Sequence, residues 1–208
     1  MNNPWLEIPL ADYEGHMALP GIEQAQLLAD IFSGVIQQYS PRSIAVLGCA
    51  GGNGFDRIPS GIARVVGVDL NPRFVAEARA RFGLRFANLE LLVGDIQRDD
   101  IAFAPVDLLF AGLVLEYVDV EAVIAKLPAL LTANGRLVTV LQLPSASQRE
   151  ISPSPFTSIQ AIREIIRLVP PPRLLQAAVA QGFVQLASQT VASVSGKEFQ
   201  VQVFAKTP

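Results

Sequence analysis

The chain is short of the residues that build metal centres and covalent staples. It has one cysteine, Cys49, and one histidine, His16, in 208 residues. A single thiol excludes an internal disulfide and suits a reducing cytoplasm. No pair of cysteines and no His–acid cluster has metal-ligand spacing, so no metal is expected. Charge is sparse too: Asp, Glu, Lys and Arg make up 17% of the residues, and the net charge is −3. That balance gives no electrostatic ground for a nucleic-acid partner. Arg79, Arg81 and Arg85 do cluster, but at helical spacing near a helix end they read as a solvated face. Long apolar runs are also missing. The most apolar window, Ile101 to Val118, is broken by Pro105, Asp107 and Glu116, which argues against a membrane span. The first residues, MNNPWLEIPLADYEG, carry neither the basic region nor the apolar run of a signal peptide. The expectation is a soluble, cytoplasmic protein.

What the chain does have is apolar bulk and glycine. Half of its residues (50%) are apolar, enough for the core of one α/β domain over residues 1–208. The glycines gather in one place. Ser43 to Leu47 is an apolar run short enough for a buried strand, and it leads into Gly48, Gly51, Gly52 and Gly54. Glycine at that density lets the backbone turn sharply and approach a ligand that a Cβ would repel. A second apolar strand, Ala63 to Val68, ends in Asp69, 21 residues after Gly48. That interval is what a strand–loop–helix–strand unit needs to set a carboxylate beside the glycine loop. The physical reading is a nucleoside site, with the loop admitting the ligand and the acid accepting from both ribose hydroxyls.

The remaining elements follow from periodicity and breakers. Residues 1–20, with Pro4, Pro9 and Pro20, read as an ordered but irregular arm. Apolar positions from Ile22 to Ile36 recur at steps of three and four, a helix that Ser40-Pro41 stops. A short helical piece falls around Phe55 to Ile58. Asn71-Pro72 starts a helix that Gly83 ends. Strands are expected at Leu89 to Val93, Val106 to Phe110 and Arg136 to Leu143, with a helix from Asp119 through Leu127 and a turn ending at Asn134-Gly135. Pro144 to Pro155 is loop-like. Ile159 to Leu168 reads as a helix ended by Pro170-Pro171-Pro172, and Arg173 to Gln181 as another. Phe183 to Val191 and Glu198 to Ala205 close the chain as a β-hairpin. Strands alternating with helices imply a mostly parallel, doubly wound sheet with an antiparallel hairpin at one edge.

With these motifs and this strand order, the chain resembles the class I methyltransferases that use S-adenosylmethionine. VLGCAGGNG looks like the family's glycine motif, VVGVDLNP like its ribose-binding strand end, and LLVGDI like its adenine motif. DLLFAGLVLEYVD looks like the fourth strand and the turn beneath the methionine moiety. The resemblance implies a Rossmann-like sheet of seven strands whose last two form the hairpin. It implies S-adenosylmethionine as cofactor, with residues 43–143 as its binding core. Gly48, Ala50 and Gly52 then fall on the three loop glycines, with Cys49 between them. Asp69 would bind the ribose and Leu70 would pack on adenine. Asp95 would accept from the adenine amino group and the Ile96 N–H would meet a ring nitrogen. Ala111 and Gly112 would face the methionine part through backbone groups. The chain departs from the pattern at Ala50, in place of the middle glycine, and at Val46, where the family has an acid for the donor's amino group. Tyr13 or Glu116 would have to take that role.

The acceptor side is expected from three places: the arm around Tyr13 and His16 acting as a lid, the turn from Leu113 to Tyr117, and the segment 144–172. His16, Tyr13, Glu116 and Tyr117 are the catalytic candidates. Because these places are aromatic and mostly uncharged, a small organic acceptor is expected rather than nucleic acid. Such chemistry is in-line attack on a methyl group already activated by the sulfonium, so alignment is the protein's main task. Two other readings stay open on the residues. One is a non-catalytic nucleoside-binding sensor or partner protein. The other is a nicotinamide-dependent oxidoreductase, against which stands the absence of G-x-G-x-x-G spacing from Gly48.

Overall fold

Side-chain alternation along four short strands decides how this chain layers. In a computed structural model that describes residues 3–207, β1 (Ser43–Leu47), β2 (Arg64–Asp69), β3 (Leu89–Val93) and β4 (Val106–Gly112) run parallel. Ala45 and Leu47 point to one face of the sheet with Leu109 and Ala111, while Ile44 and Val46 point to the other with Leu108 and Phe110. Both faces are apolar and therefore both must be covered, which is what parallel sheets require. On the first face lie α4 (Val120–Lys126) and α5 (Pro171–Ala180), through Val123, Ile124, Leu174 and Ala178. On the second lie α2 (Gln24–Tyr39) and α3 (Pro72–Phe82), through Phe32, Val35, Ile36, Val75 and Ala78.

β5 (Leu131–Gln142) joins β4 in parallel, and β7 (Glu198–Lys206) pairs antiparallel with both β5 and β6 (Phe183–Ala192). The seven strands stand in the order β3-β2-β1-β4-β5-β7-β6. From β1 the chain builds outward through β2 to β3, then crosses back to place β4 on the opposite side of β1. The carboxyl ends of β1 and β4 therefore flank a topological switch point, where loops diverge and leave a crevice.

Several local expectations hold for the reasons given. Asn71 caps α3 by accepting from the Arg73 N–H, with Pro72 at the first helical position. Asp119 caps α4 through the Ala122 N–H. Others need correction. Residues 10–18 are not irregular: Leu10–Ala18 is a helix, α1, framed by Pro9 at its N-cap rather than broken by it. The first two residues of the expected arm lie outside the described residues. Pro171 and Pro172 begin α5 instead of ending a helix, because the first turn needs no N–H donors. The piece before them, Thr157–Glu164, is 3-10 rather than α. Asn134-Gly135 sits inside β5, where the pairing with β4 slips between Val106 and Leu108 and leaves residues 132–135 out of register.

Candidate active site

The carboxyl ends of five strands converge on one cavity. Gly48 follows β1, Asp69 ends β2, Gly94 and Asp95 follow β3, Gly112 ends β4 and Gln142 ends β5, and all six line it. α1 and the segment after β5 close it from above. Asp69 is the fixed point. Its Oδ2 accepts from the Ala50 N–H at 2.8 Å and its Oδ1 from the Asn71 N–H at 2.9 Å. Burial pushes this carboxyl up from the usual carboxylate range, while the amides of Asn71, Ala50 and Leu70 pull it back. Each oxygen keeps a second lone pair for a ligand hydroxyl.

The glycine loop beside it is shaped by two left-handed residues at its cavity wall. Gly48 has φ +68°, and a Cβ there would come within 3.1 Å of Val114. Ala50 also has positive φ, 46°, so the residue that departs from the glycine pattern carries the strain a glycine would avoid. Leu113, at φ 54° where the chain leaves β4, is a third left-handed residue on the cavity and was not singled out by sequence.

The structure separates the expected donor-binding residues into two groups. Gly48, Ala50, Asp69, Leu70, Asp95, Ile96 and Gly112 line the cavity. Cys49, Gly52 and Ala111 do not. Cys49 is fully buried below the loop against the core under β1 and β2. Gly52 is glycine because a Cβ would strike Phe82 at 2.4 Å. Ala111 points into the core on the α4 side of β4. Val46 is buried in the opposite apolar layer, so its side chain is absorbed by packing. Asp95 is partly spent on its own turn: Oδ1 accepts from the Gln97 N–H at 2.9 Å, and Oδ2 is 3.8 Å from the exposed Arg98 guanidinium.

All four catalytic candidates line the cavity. The Tyr13 hydroxyl accepts from the Asn53 side chain at 2.6 Å, and its ring stacks on Phe74 with centroids 6.0 Å apart. Burial, with Asp69 second, holds its hydroxyl well above the usual tyrosine range, and burial does the same for Tyr117. Both phenols are neutral donors at neutral pH. His16 is buried, its Nδ1 2.9 Å from Ser154 Oγ, and burial followed by Lys197 lowers its pKa, so it too is neutral. Glu116 is 2% exposed. Its Oε1 accepts from the Gln142 N–H at 2.8 Å, but its Oε2 has no partner among the described residues. Burial pushes this carboxyl up to about 7 against the pull of the Gln142 amide.

Further residues on or around the cavity were not assigned to the site by sequence. Trp5 meets Tyr13 and Tyr117 edge-on, at 5.8 and 5.1 Å between centroids, and its carbonyl accepts from the Asn71 side chain at 2.9 Å. Ile151, Ile159 and Ile162 form a small apolar cluster of their own with Ile8, against which Tyr13 and Phe156 pack. Their helical spacing was legible, but its target was not. Lys197, from the turn of the terminal hairpin, is buried and donates to the Glu150 carbonyl at 2.8 Å and Ser152 Oγ at 3.2 Å. Burial lowers its pKa to about 8. It ties down the loop that closes the acceptor side.

Comparison with known proteins gives this geometry its family. Residues 46–139 match the family model described as a methyltransferase domain. That match covers a little less than half of the chain and runs from Val46 in β1 to Thr139 in β5. No curated protein matches it. Among solved structures it is similar to the N-methyltransferase NodS from Bradyrhizobium japonicum WM9 in complex with S-adenosyl-L-homocysteine. The identity is 16% and the TM-score 0.67, covering 91% of this chain and 89% of that one. It is also similar to the 1,6-didemethyltoxoflavin-N1-methyltransferase of Burkholderia thailandensis, at 17% identity and TM-score 0.67, over 100% of this chain and 92% of that one. The [4+2]-cyclase SpnF shares the fold at 13% identity and TM-score 0.65, over 86% and 81%. The seven-stranded sheet thus has the fold of these structures, as the motifs implied. No helix among the described residues is long and apolar enough to cross a membrane.

The buried Glu116 makes a stability prediction. Its folded pKa lies above the unfolded value, so between about pH 4.5 and 7 the folded state holds more protons and stability falls as pH rises. A rise from 4.5 to about 7 corresponds to on the order of 3 kcal/mol. In urea melts, Glu116→Gln should gain stability relative to wild type as pH climbs from 4.5 to 7.5. A difference that stays constant over that range would mean that Glu116 titrates normally.

Proposed function

We propose that this protein transfers a methyl group from S-adenosylmethionine to a small-molecule acceptor. The observation that carries the reading is Asp69: a carboxylate at the end of β2, braced by the glycine loop and facing a cavity at the switch point. A bound nucleoside fits these residues. Asp69 would accept from the ribose hydroxyls, Leu70 would pack on the base, and Asp95 and the Ile96 N–H would hold its edge. The backbone at Gly48 and Gly112 leaves room for the methionine part, where a Cβ at Gly48 would fill the cradle. Tyr13, above Asn53 of the loop, is positioned for the donor's amino-acid end, a role the buried Val46 leaves vacant. When bound, the donor supplies an activated methyl group, and the protein supplies alignment and a dry site.

The acceptor enters from the side bounded by Trp5, His16, Tyr117 and the segment after β5. α1 is the lid in this reading, tied to that segment by the His16–Ser154 contact and by Ser158 Oγ donating to Asp12 at 2.6 Å. The cavity's dimensions and enclosure favour a small acceptor over nucleic acid or a membrane surface. A cytoplasmic setting is part of the proposal and suits the free, buried thiol of Cys49.

Three outcomes test this reading. Asp69→Ala should weaken S-adenosylhomocysteine at least about tenfold in calorimetry, the loss expected for a bidentate charged contact; equal affinity would end the nucleoside assignment. Asp95→Asn should harm adenosine-based donors more than inosine analogues, whose ring presents an acceptor at that edge. Because Asp95 also holds the Gln97 amide, equal losses would reduce it to a turn residue. Hydrogen exchange over residues 10–20 should slow when S-adenosylhomocysteine binds. Unchanged protection would make α1 a packing element only.

A further inference from the structure

Resting on the methyl-transfer reading above, we propose that Glu116 takes the acceptor's proton, and that the acceptor is an uncharged, largely apolar ring compound presenting one O–H or N–H to Glu116 Oε2. The observation is an unfinished carboxylate. Oε1 is held by the Gln142 amide at the end of β5, which fixes the side chain's direction, while Oε2 is buried with no donor among the described residues, on a residue that lines the cavity. An ionisable oxygen left unpaired in an apolar enclosure costs free energy unless a ligand completes it. The turn that carries Glu116 leaves β4 directly after Gly112 and Leu113, so its carboxyl stands beside the part of the cavity assigned to the donor's methionine end.

The walls define the rest of the acceptor. Ile151, Ile159 and Ile162 pack with Ile166, Trp5 and Tyr117 into one apolar cluster that lines the cavity with aliphatic and aromatic side chains, which suits an apolar body. An anionic acceptor has no home there. Among the described residues the one cationic side chain on the lining is Arg98, exposed beside Asp95 on the donor side, and His16 is neutral. A strongly basic alkylamine would arrive protonated, with no lone pair to attack. A phenol or an azole N–H arrives neutral and needs only a modest base.

The step balances as follows. The acceptor oxygen or nitrogen forms a bond to the methyl carbon, the carbon–sulfur bond breaks with its electron pair going to sulfur, and the acceptor's proton passes to Glu116 Oε2. The positive charge on sulfur and the negative charge on Glu116 are both cancelled, leaving a neutral enclosure from which products depart. Burial holds this carboxyl near 7, so it is partly ionised at neutral pH and binds a proton more firmly than a surface glutamate. The other ionisable groups facing the cavity are Tyr13 and His16 from α1, Tyr117 beside Glu116, Asp69 and Asp95 at the donor end, and Glu150 from the loop. The tyrosines titrate far above neutrality and His16 below its ordinary value, while Lys197, off the cavity lining, is lowered by burial to about 8; loss of the limb in Glu116→Gln is what assigns it to Glu116.

The test uses the full chain, S-adenosylmethionine, and a panel of catechol, a simple phenol, indole and imidazole, with a primary alkylamine and benzoate as controls. Wild type should methylate at least one ring compound and neither control, with a rate that falls as pH drops through about 7. Glu116→Gln keeps an oxygen for the Gln142 amide. It should bind S-adenosylhomocysteine within about twofold of wild type, lose 10²-fold or more in transfer, and lose the pH limb. Difference infrared spectra of wild type minus Glu116→Gln should show a protonated carboxyl that disappears as pH is raised through about 7, with no acceptor present. Failure of wild type to bind S-adenosylhomocysteine would overturn the donor reading itself. Binding with transfer that is unaffected in Glu116→Gln, transfer to the controls instead of the rings, no transfer to any panel member, or no carboxyl titrating near 7 would each overturn the present proposal.

Discussion

The carboxylate of Asp69, accepting from the amides of Ala50 and Asn71, is the contact on which the site depends. It joins three pieces of backbone that would otherwise move apart: the glycine loop, the end of β2 and the start of α3. Asn71 extends the joint, because the side chain that caps α3 also donates to the Trp5 carbonyl and draws the N-terminal segment over the cavity. The Arg73 guanidinium donates to the Leu6 carbonyl and adds a second tie at the same place. One buried acid thereby sets the loop, the helix and part of the roof in a single frame. Its desolvation cost is offset by directed N–H groups, an arrangement that favours a ligand bringing two further donors.

The parts of this architecture that could be read from sequence are those fixed by neighbours in the chain. β1, β2, β3 and the cap of α3 follow from short apolar runs and from Asn71-Pro72, all local signals. Gly48 and Asp69 were legible because a tight turn and a strand end stand a fixed distance apart. The misreadings share a cause. In sequence Pro9 and Pro171 read as breaks, although proline also starts helices, and which role it plays depends on what the next turn packs against. Cys49 and Ala111 belong to the motifs, and their side chains lie in the core, since motif membership does not say which way a side chain turns. The free oxygen of Glu116 could not be foreseen. Its state depends on Gln142, 26 positions away in the chain and brought close only by the pairing of β4 with β5.

The two ends of the cavity differ in how they are built. At the strand ends around Gly48, Asp69 and Gly112, where the proposal puts the donor, backbone groups dominate and the geometry tolerates little movement. Toward the acceptor side, side chains from α1, the Glu116 turn and the segment after β5 meet without sheet hydrogen bonds. Lys197 reaches from the hairpin turn to hold that segment through the Glu150 carbonyl and Ser152. A scaffold that is rigid where the common ligand sits and assembled from loops where the variable one sits is a common division of labour in enzymes.

Gly15 has a consequence for how such a division can change over time. A Cβ at that position would lie 2.3 Å from the Phe156 ring, so α1 and the acceptor-side segment touch with no space between them. Neither can be exchanged alone. A chain that acquired a different segment after β5, bulkier near position 156, would need a matching change in its first twenty residues before the roof could close again. New acceptors would therefore be reached by paired substitutions at two distant places in the sequence, and a graft of one segment without the other should leave the cavity open to water.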